Sequence, residues 1–152
     1  MNVQKEAAEK YPYALPAVFL WLGFLLAISF MEAWLKFQAP GVTLAIGLGI
    51  GKLVFAALNK VEWVLIVITS INLFRVPQKL FSYRNILFFI AALMTAAETF
   101  WGLPTLDRIA DQIIRGGVDN QPSLHIIYVT MEVVKLFTLI PLGIYLLRKH
   151  QK

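Results

Sequence analysis

Four apolar runs, separated by proline, glycine or clusters of charge, leave this chain few folds to choose from. They cover about Leu15–Phe37, Gly51–Phe74, Asn85–Leu103 and Leu124–Leu147. At about 1.5 Å per residue, each is close to or beyond the ~30 Å of a bilayer's hydrocarbon layer. In lipid a backbone must satisfy its own polar groups, and a helix does so within one segment. Composition excludes the soluble alternative. Hydrophobic residues make up 59% and charged residues 15% of only 152 residues, against about 25% charged in soluble domains. A water-soluble domain of this size cannot bury so much apolar surface. The expectation is an all-α, four-transmembrane-helix bundle, one integral membrane domain over residues 1–152, with the lipid bilayer around it.

Punctuation sets the boundaries. Tyr11, Pro12, Tyr13 and Pro16 lead into the first run, and Ala39-Pro40-Gly41 ends it. The densest part of the second run, Val61–Phe74, is short for a bilayer, so its helix is expected to begin upstream near Gly51. Gly47 and Gly51 form a small-xxx-small pair that permits close helix contact, within the chain or in a homo-oligomer. Pro104 ends the third run. Leu106, Ile109, Ala110, Ile113 and Ile114 then share a face opposite Asp107, Arg108, Asp111 and Arg115, which reads as a short interfacial helix over Thr105–Arg115, stopped by Gly116-Gly117. Ser123 is the expected N-cap of the fourth run.

Basic residues lie at the ends of the runs. Lys5, Lys10, Arg75, Lys79, Arg84, Arg148, Lys149 and Lys152 fall on one side, against Lys36, Lys52, Lys60, Arg108 and Arg115 on the other. The positive-inside rule then puts both termini in the cytoplasm. The same placement makes the net charge of +5 a topology signal rather than a nucleic-acid footprint. Mixed charge before the first run, and Glu32 and Lys36 near its end, do not fit a cleavable signal peptide. With no cysteine in the chain, thiol redox chemistry and cysteine-ligated zinc are excluded.

The chemistry rests on ionisable residues inside apolar runs, where they are costly and turn toward one another. Helical rise places Glu32 about 25 Å along the first span, Glu98 about 20 Å along the third and Glu132 about 12 Å along the fourth, with Glu62 at the outer mouth of the second. All converge on the outer half of the membrane. Glu32 and Lys36 are spaced i,i+4 and Glu132 and Lys135 i,i+3, while His125, Tyr128 and Glu132 share a stripe. The candidate site for an ion or small polar ligand is therefore Glu32, Lys36, Glu98, His125, Tyr128, Glu132 and Lys135. Glu98, His125 and Glu132 form an oxygen-rich metal set with one imidazole. No Glu-x-x-His pair is present, so the di-iron bundle pattern is absent. His125 and His150 lie at opposite ends of one helix, which disfavours a bis-histidine haem, and the sequence names no cofactor. Trp34, Trp63 and Trp101 read as an aromatic belt.

Phe30-Met31-Glu32-Ala33-Trp34-Leu35-Lys36-Phe37-Gln38-Ala39-Pro40, followed by Gly51-Lys52-Leu53-Val54-Phe55, resembles the first half of small membrane proteins similar to transmembrane protein 205. Leu124-His125 with Tyr128 and Glu132 resembles the opening of that family's last helix, although the charges of Glu132 and Lys135 depart from its pattern. The family is distantly similar to copper-resistance membrane proteins, so the resemblance implies ion handling. Three functions follow as expectations: binding or passage of a metal ion or proton at the carboxylates, lipid chemistry by a carboxylate pair such as Glu98 and Glu132, or an interaction subunit whose buried charges only fix assembly.

Overall fold

The computed structural model describes residues 11–76, 79–117 and 122–150, except the side chains of 122–125 and 150. It is all-α, and its four helices are by length and composition able to cross a membrane. They are α1 (Ala14–Gln38), α2 (Leu44–Arg75), α3 (Tyr83–Ile114) and α4 (Pro122–His150). α1 packs on α2 and α4. The first part of α3 lies on α4, and its last part, Leu103–Ile114, lies on α2.

α2 starts earlier than its hydropathy indicates. The Thr43 hydroxyl oxygen accepts from the Ile46 N–H at 3.3 Å, satisfying one of the free donors of the first turn. Before it, Gly41 turns the chain at a φ of +82°, which favours glycine. The helix therefore runs for 32 residues through Gly47, Gly49 and Gly51, about 48 Å, and Glu62 lies near its middle rather than at a mouth. α1 covers two of these glycines: a Cβ at Gly47 would collide with the Phe37 ring, and one at Gly51 would press on the Lys36 ammonium.

α3 also outruns its expected end. Thr105–Ile114 is helical and strongly amphipathic, as expected, but it continues α3 instead of forming a separate element. The join is a π-helical stretch at Glu98–Gly102, with Pro104 in the first turn beyond it. A π turn changes which carbonyls are engaged, and the Thr105 hydroxyl donates to the Trp101 carbonyl at 2.7 Å. A second π stretch, Leu26–Glu32, occurs in α1. α4 already includes Pro122 and Ser123, so Ser123 is not the N-cap, and a proline suits the opening turn.

The two ends of the bundle differ. Tyr11, Ala14, Val18, Trp21 and Leu25 pack with Leu65, Ile66 and Leu73, Phe88 and Ala91, and Leu139, Leu142 and Leu146. These residues come from the first half of α1, the second half of α2, the first half of α3 and the second half of α4, so the apolar core fills the end where the α2–α3 connection lies. From Leu26 to Gln38, α1 buries no residue completely. Phe19, Leu53, Val67, Phe74, Leu93, Phe100 and Phe137 point outward, an apolar exterior that suits lipid.

Candidate functional site

Halfway along the helices the apolar core gives way to charge. The Lys135 ammonium lies 2.7 Å from Glu62 Oε1, 2.6 Å from Glu98 Oε2 and 3.1 Å from Glu132 Oε2. These four side chains, from three helices, are no more than 2% exposed. The Trp21 indole N–H donates to Glu62 Oε1 at 2.8 Å, so α1 joins as well. The site is unevenly matched. Among the described residues Glu98 Oε1 and Glu132 Oε1 have no hydrogen-bond partner, and Glu132 Oε2 meets Lys135 as an ion pair without hydrogen-bond alignment.

Local spacing explains the convergence. Glu132 and Lys135 are one turn apart on α4, and Tyr128 is one turn before Glu132 on the same buried face. Glu98 opens the π stretch of α3, where a wider turn shifts the register of the side chains that follow. On α2, Asn59 stands one turn before Glu62. The Thr99 hydroxyl lies 3.0 Å from Asn59 Oδ1 and 2.7 Å from the Thr95 carbonyl, and it accepts from the Trp63 indole at 2.9 Å. Trp63 thus turns its N–H inward, whereas Trp34 and Trp101 are exposed.

Among the residues expected from sequence, Glu98, Glu132 and Lys135 come together, and Tyr128 is buried beside them. Glu32 and Lys36 do not join. They pair with each other at 3.2 Å, and Phe55 intervenes: the Lys36 ammonium is 5.2 Å from the Phe55 ring, whose other neighbour is the Tyr128 ring at 5.4 Å, edge on. His125 belongs to α4, but its side chain lies outside the described residues. Among the described residues no group of three or more His, Asp or Glu side chains is arranged to hold a metal. Between Glu98 and Glu132 the Lys135 ammonium already occupies the place a cation would take.

Sequence reasoning missed Glu62 as a core member, together with Trp21, Asn59 and Thr99. The signal was the stripe Leu58, Asn59, Glu62, Leu65, Ile66, Thr69, Asn72, Leu73, all buried in α2 and recurring in steps of one or three residues. It marks one continuous helical face once polar residues are counted with apolar ones. Comparison with family models, with curated proteins and with solved structures finds no match to the chain.

Proposed function

We propose that this small membrane protein takes up and releases a proton at the Glu62, Glu98, Glu132 and Lys135 cluster. One observation carries the reading: a fully buried ammonium faces three fully buried carboxylates, two of which keep oxygens with no hydrogen-bond partner among the described residues. With every group ionised the cluster would hold two excess negative charges away from water, an arrangement that costs several kcal/mol per uncompensated ion. One proton on a carboxylate halves that excess and turns an acceptor-only oxygen into an O–H donor for its neighbours. Metal binding is the weaker form of ion handling here, because Lys135 already supplies the bridging positive charge. Lipid chemistry by Glu98 and Glu132 is weaker still, since both carboxyls are sealed among side chains and leave no space for a substrate.

The cluster lies near mid-depth, between the apolar core at the end where α1 begins and α4 finishes and the opposite end of the bundle. Exposed Lys60 and the pair of Lys52 with Asp111 all lie beyond the cluster from the apolar core, which suits proximity to headgroups. Both termini are assigned to the cytoplasm on the basic-residue bias. Because the chain has no cysteine, Gln78→Cys and Val118→Cys test that assignment: an impermeant thiol reagent added outside should label the second and spare the first.

Infrared difference spectroscopy between acid and alkaline buffer tests the proton site. The carbonyl band of a carboxylic acid should appear on acidification and shift or vanish in Glu98→Gln, with the helical content kept. A spectrum without that band, in the wild type and in Glu62→Gln and Glu132→Gln alike, would leave only a fixed-charge cluster that sets helix register.

A further inference from the structure

On the other side of the Phe55–Tyr128 pair, the end of α1, the first half of α2 and the last part of α3 enclose a half-open cavity of about 180 Å³. Leu48, Leu103, Leu106, Ile109 and Ile113 give it a mainly apolar wall. A cavity of about 150 Å³ lined by such side chains stays dry and holds a benzene molecule. This one therefore has room for a stretch of hydrocarbon chain rather than for a water channel, with the remainder of a longer molecule leaving through the open side.

Three charged side chains, Lys36, Lys52 and Asp107, line it, and Lys36 is more deeply buried than Lys52. The Lys36 side chain is 9% exposed and lies across α2 where Gly51 has no Cβ, its ammonium 3.0 Å from the position a Cβ would take. Among the described residues its polar and ring contacts are one carboxylate oxygen, Glu32 Oε2 at 3.2 Å, and the faces of Phe37 and Phe55 at 5.5 and 5.2 Å. An ammonium has three donors, so hydrogen-bonding capacity remains beside the apolar wall. The charge balance selects the acceptor. Lys36 faces Glu32, Lys52 faces Asp111, and Asp107 also lines the cavity. No net positive charge is left for a phosphate or a free carboxylate.

We propose that this cavity binds an uncharged acyl ester, with its chain along the leucine and isoleucine wall and its carbonyl oxygen accepting from the Lys36 ammonium. The ester can belong to a bilayer phospholipid or to a free neutral lipid, since both present the same group.

The probes are a fatty-acid methyl ester and an alkane of equal length, each with a diazirine at mid-chain, added to the delipidated full chain in detergent. Both should photolabel residues 44–55 and 103–114. The ester should label about tenfold more than the alkane at equal low concentration, the factor given by one charge-assisted hydrogen bond of about 1.4 kcal/mol. Lys36→Met should bring the two probes level. Ile109→Trp, which fills the cavity and keeps Lys36, should suppress both. Equal labelling by the two probes in the wild type would overturn the proposal. So would labels spread over outward residues such as Phe100 and Phe137, or labelling indifferent to Ile109→Trp. The wild-type preference and the tryptophan variant decide the matter even if Lys36→Met does not fold. A phospholipid carrying the same diazirine chain then separates the sources: cavity labelling assigns the bilayer lipid, and labelling by the methyl ester alone assigns a free neutral lipid.

Discussion

Two buried cations sit at different levels of this bundle and are satisfied in opposite ways. Arg84, near the start of α3, is 2% exposed, and among the described residues no carboxylate pairs with it. Its guanidinium donates to the Tyr11 hydroxyl at 2.7 Å, to the Leu73 and Val76 carbonyls at 3.2 and 3.3 Å and to Asn85 Oδ1 at 3.0 Å. Leu73 and Val76 lie at the end of α2, where free carbonyls and the helix dipole both favour a cation. Fixed neutral acceptors are thus enough to bury a charge permanently. Lys135 is buried as deeply and faces three carboxylates, more than its one charge can balance. Arg84 closes a set of acceptors, whereas Lys135 leaves a surplus of carboxylates, which on the proposed reading a proton balances.

Removing each cation should expose the difference. Lys135→Met leaves three carboxylates together without their counter-charge, and at neutral pH the loss should be about 3–5 kcal/mol, the cost of breaking a buried pair. The loss should shrink in mild acid, because protons can then neutralise carboxylates that have lost the ammonium. Arg84→Met should also destabilise strongly, since it orphans two helix-end carbonyls, but by the same amount from mildly acid to mildly alkaline pH because no carboxylate among the described residues pairs with it. Denaturant unfolding in detergent at several pH values checks both. A Lys135→Met deficit that does not depend on pH would erase the contrast.

The sequence shows the fold more readily than the site, and the reason is physical. Long apolar runs are enough to announce four helices, because lipid permits little else. The site depends on where each helix starts. In α2 the glycines, Lys52 and Lys60 lower the local hydropathy, so the sequence alone puts the helix start near Gly51 and Glu62 at its outer mouth. Thr43, a cap preference visible in the sequence, marks the true start. Glu132 and Lys135 were legible from their i,i+3 spacing on one helix. Glu32 and Lys36 were equally legible as a pair but not as a separate one, because nothing local reveals that Phe55 and Tyr128 stand between them and the core. Trp21 was lost for a similar reason: a tryptophan in an apolar run looks the same whether its indole faces lipid or a carboxylate 41 positions away.

A smaller change sharpens the comparison from the carboxylate side. Trp21→Phe keeps most of the ring in the core and removes the indole donor to Glu62. One hydrogen bond to a charged group is lost, so stability should fall by about 1.5–3 kcal/mol at neutral pH. The carboxylic-acid band in the infrared difference spectrum should also move, since the Glu62 carboxyl loses its indole donor. Tyr11→Phe is the matched change at Arg84. It should cost a comparable amount through the lost acceptor and leave that band where it was. Movement of the band in both variants would mean that the two charged sites titrate as one.

The smallest expected effect lies beside Arg84, where another side chain closes a helix end. Asn72 Oδ1, from α2, accepts from the Tyr13 and Ala14 backbone N–H groups at 3.2 and 2.7 Å. Those donors belong to the opening turn of α1, which no side-chain cap of its own satisfies. Asn72 therefore acts as an N-cap supplied by a neighbouring helix, and it is buried, so water does not readily replace it. Asn72→Ala should cost about 1 kcal/mol, as the loss of an ordinary cap does, and should speed hydrogen exchange at Tyr13 and Ala14 while the amides around Lys135 keep their protection. Asn72→Asp keeps the acceptor and adds a negative charge where the N-terminus of α1 favours one, so it should recover part of the protection at those two amides. If Asn72→Ala instead loosened the amides of Glu98 and Glu132, the Arg84 end would not be the self-contained set of matched partners that separates it from the Lys135 cluster.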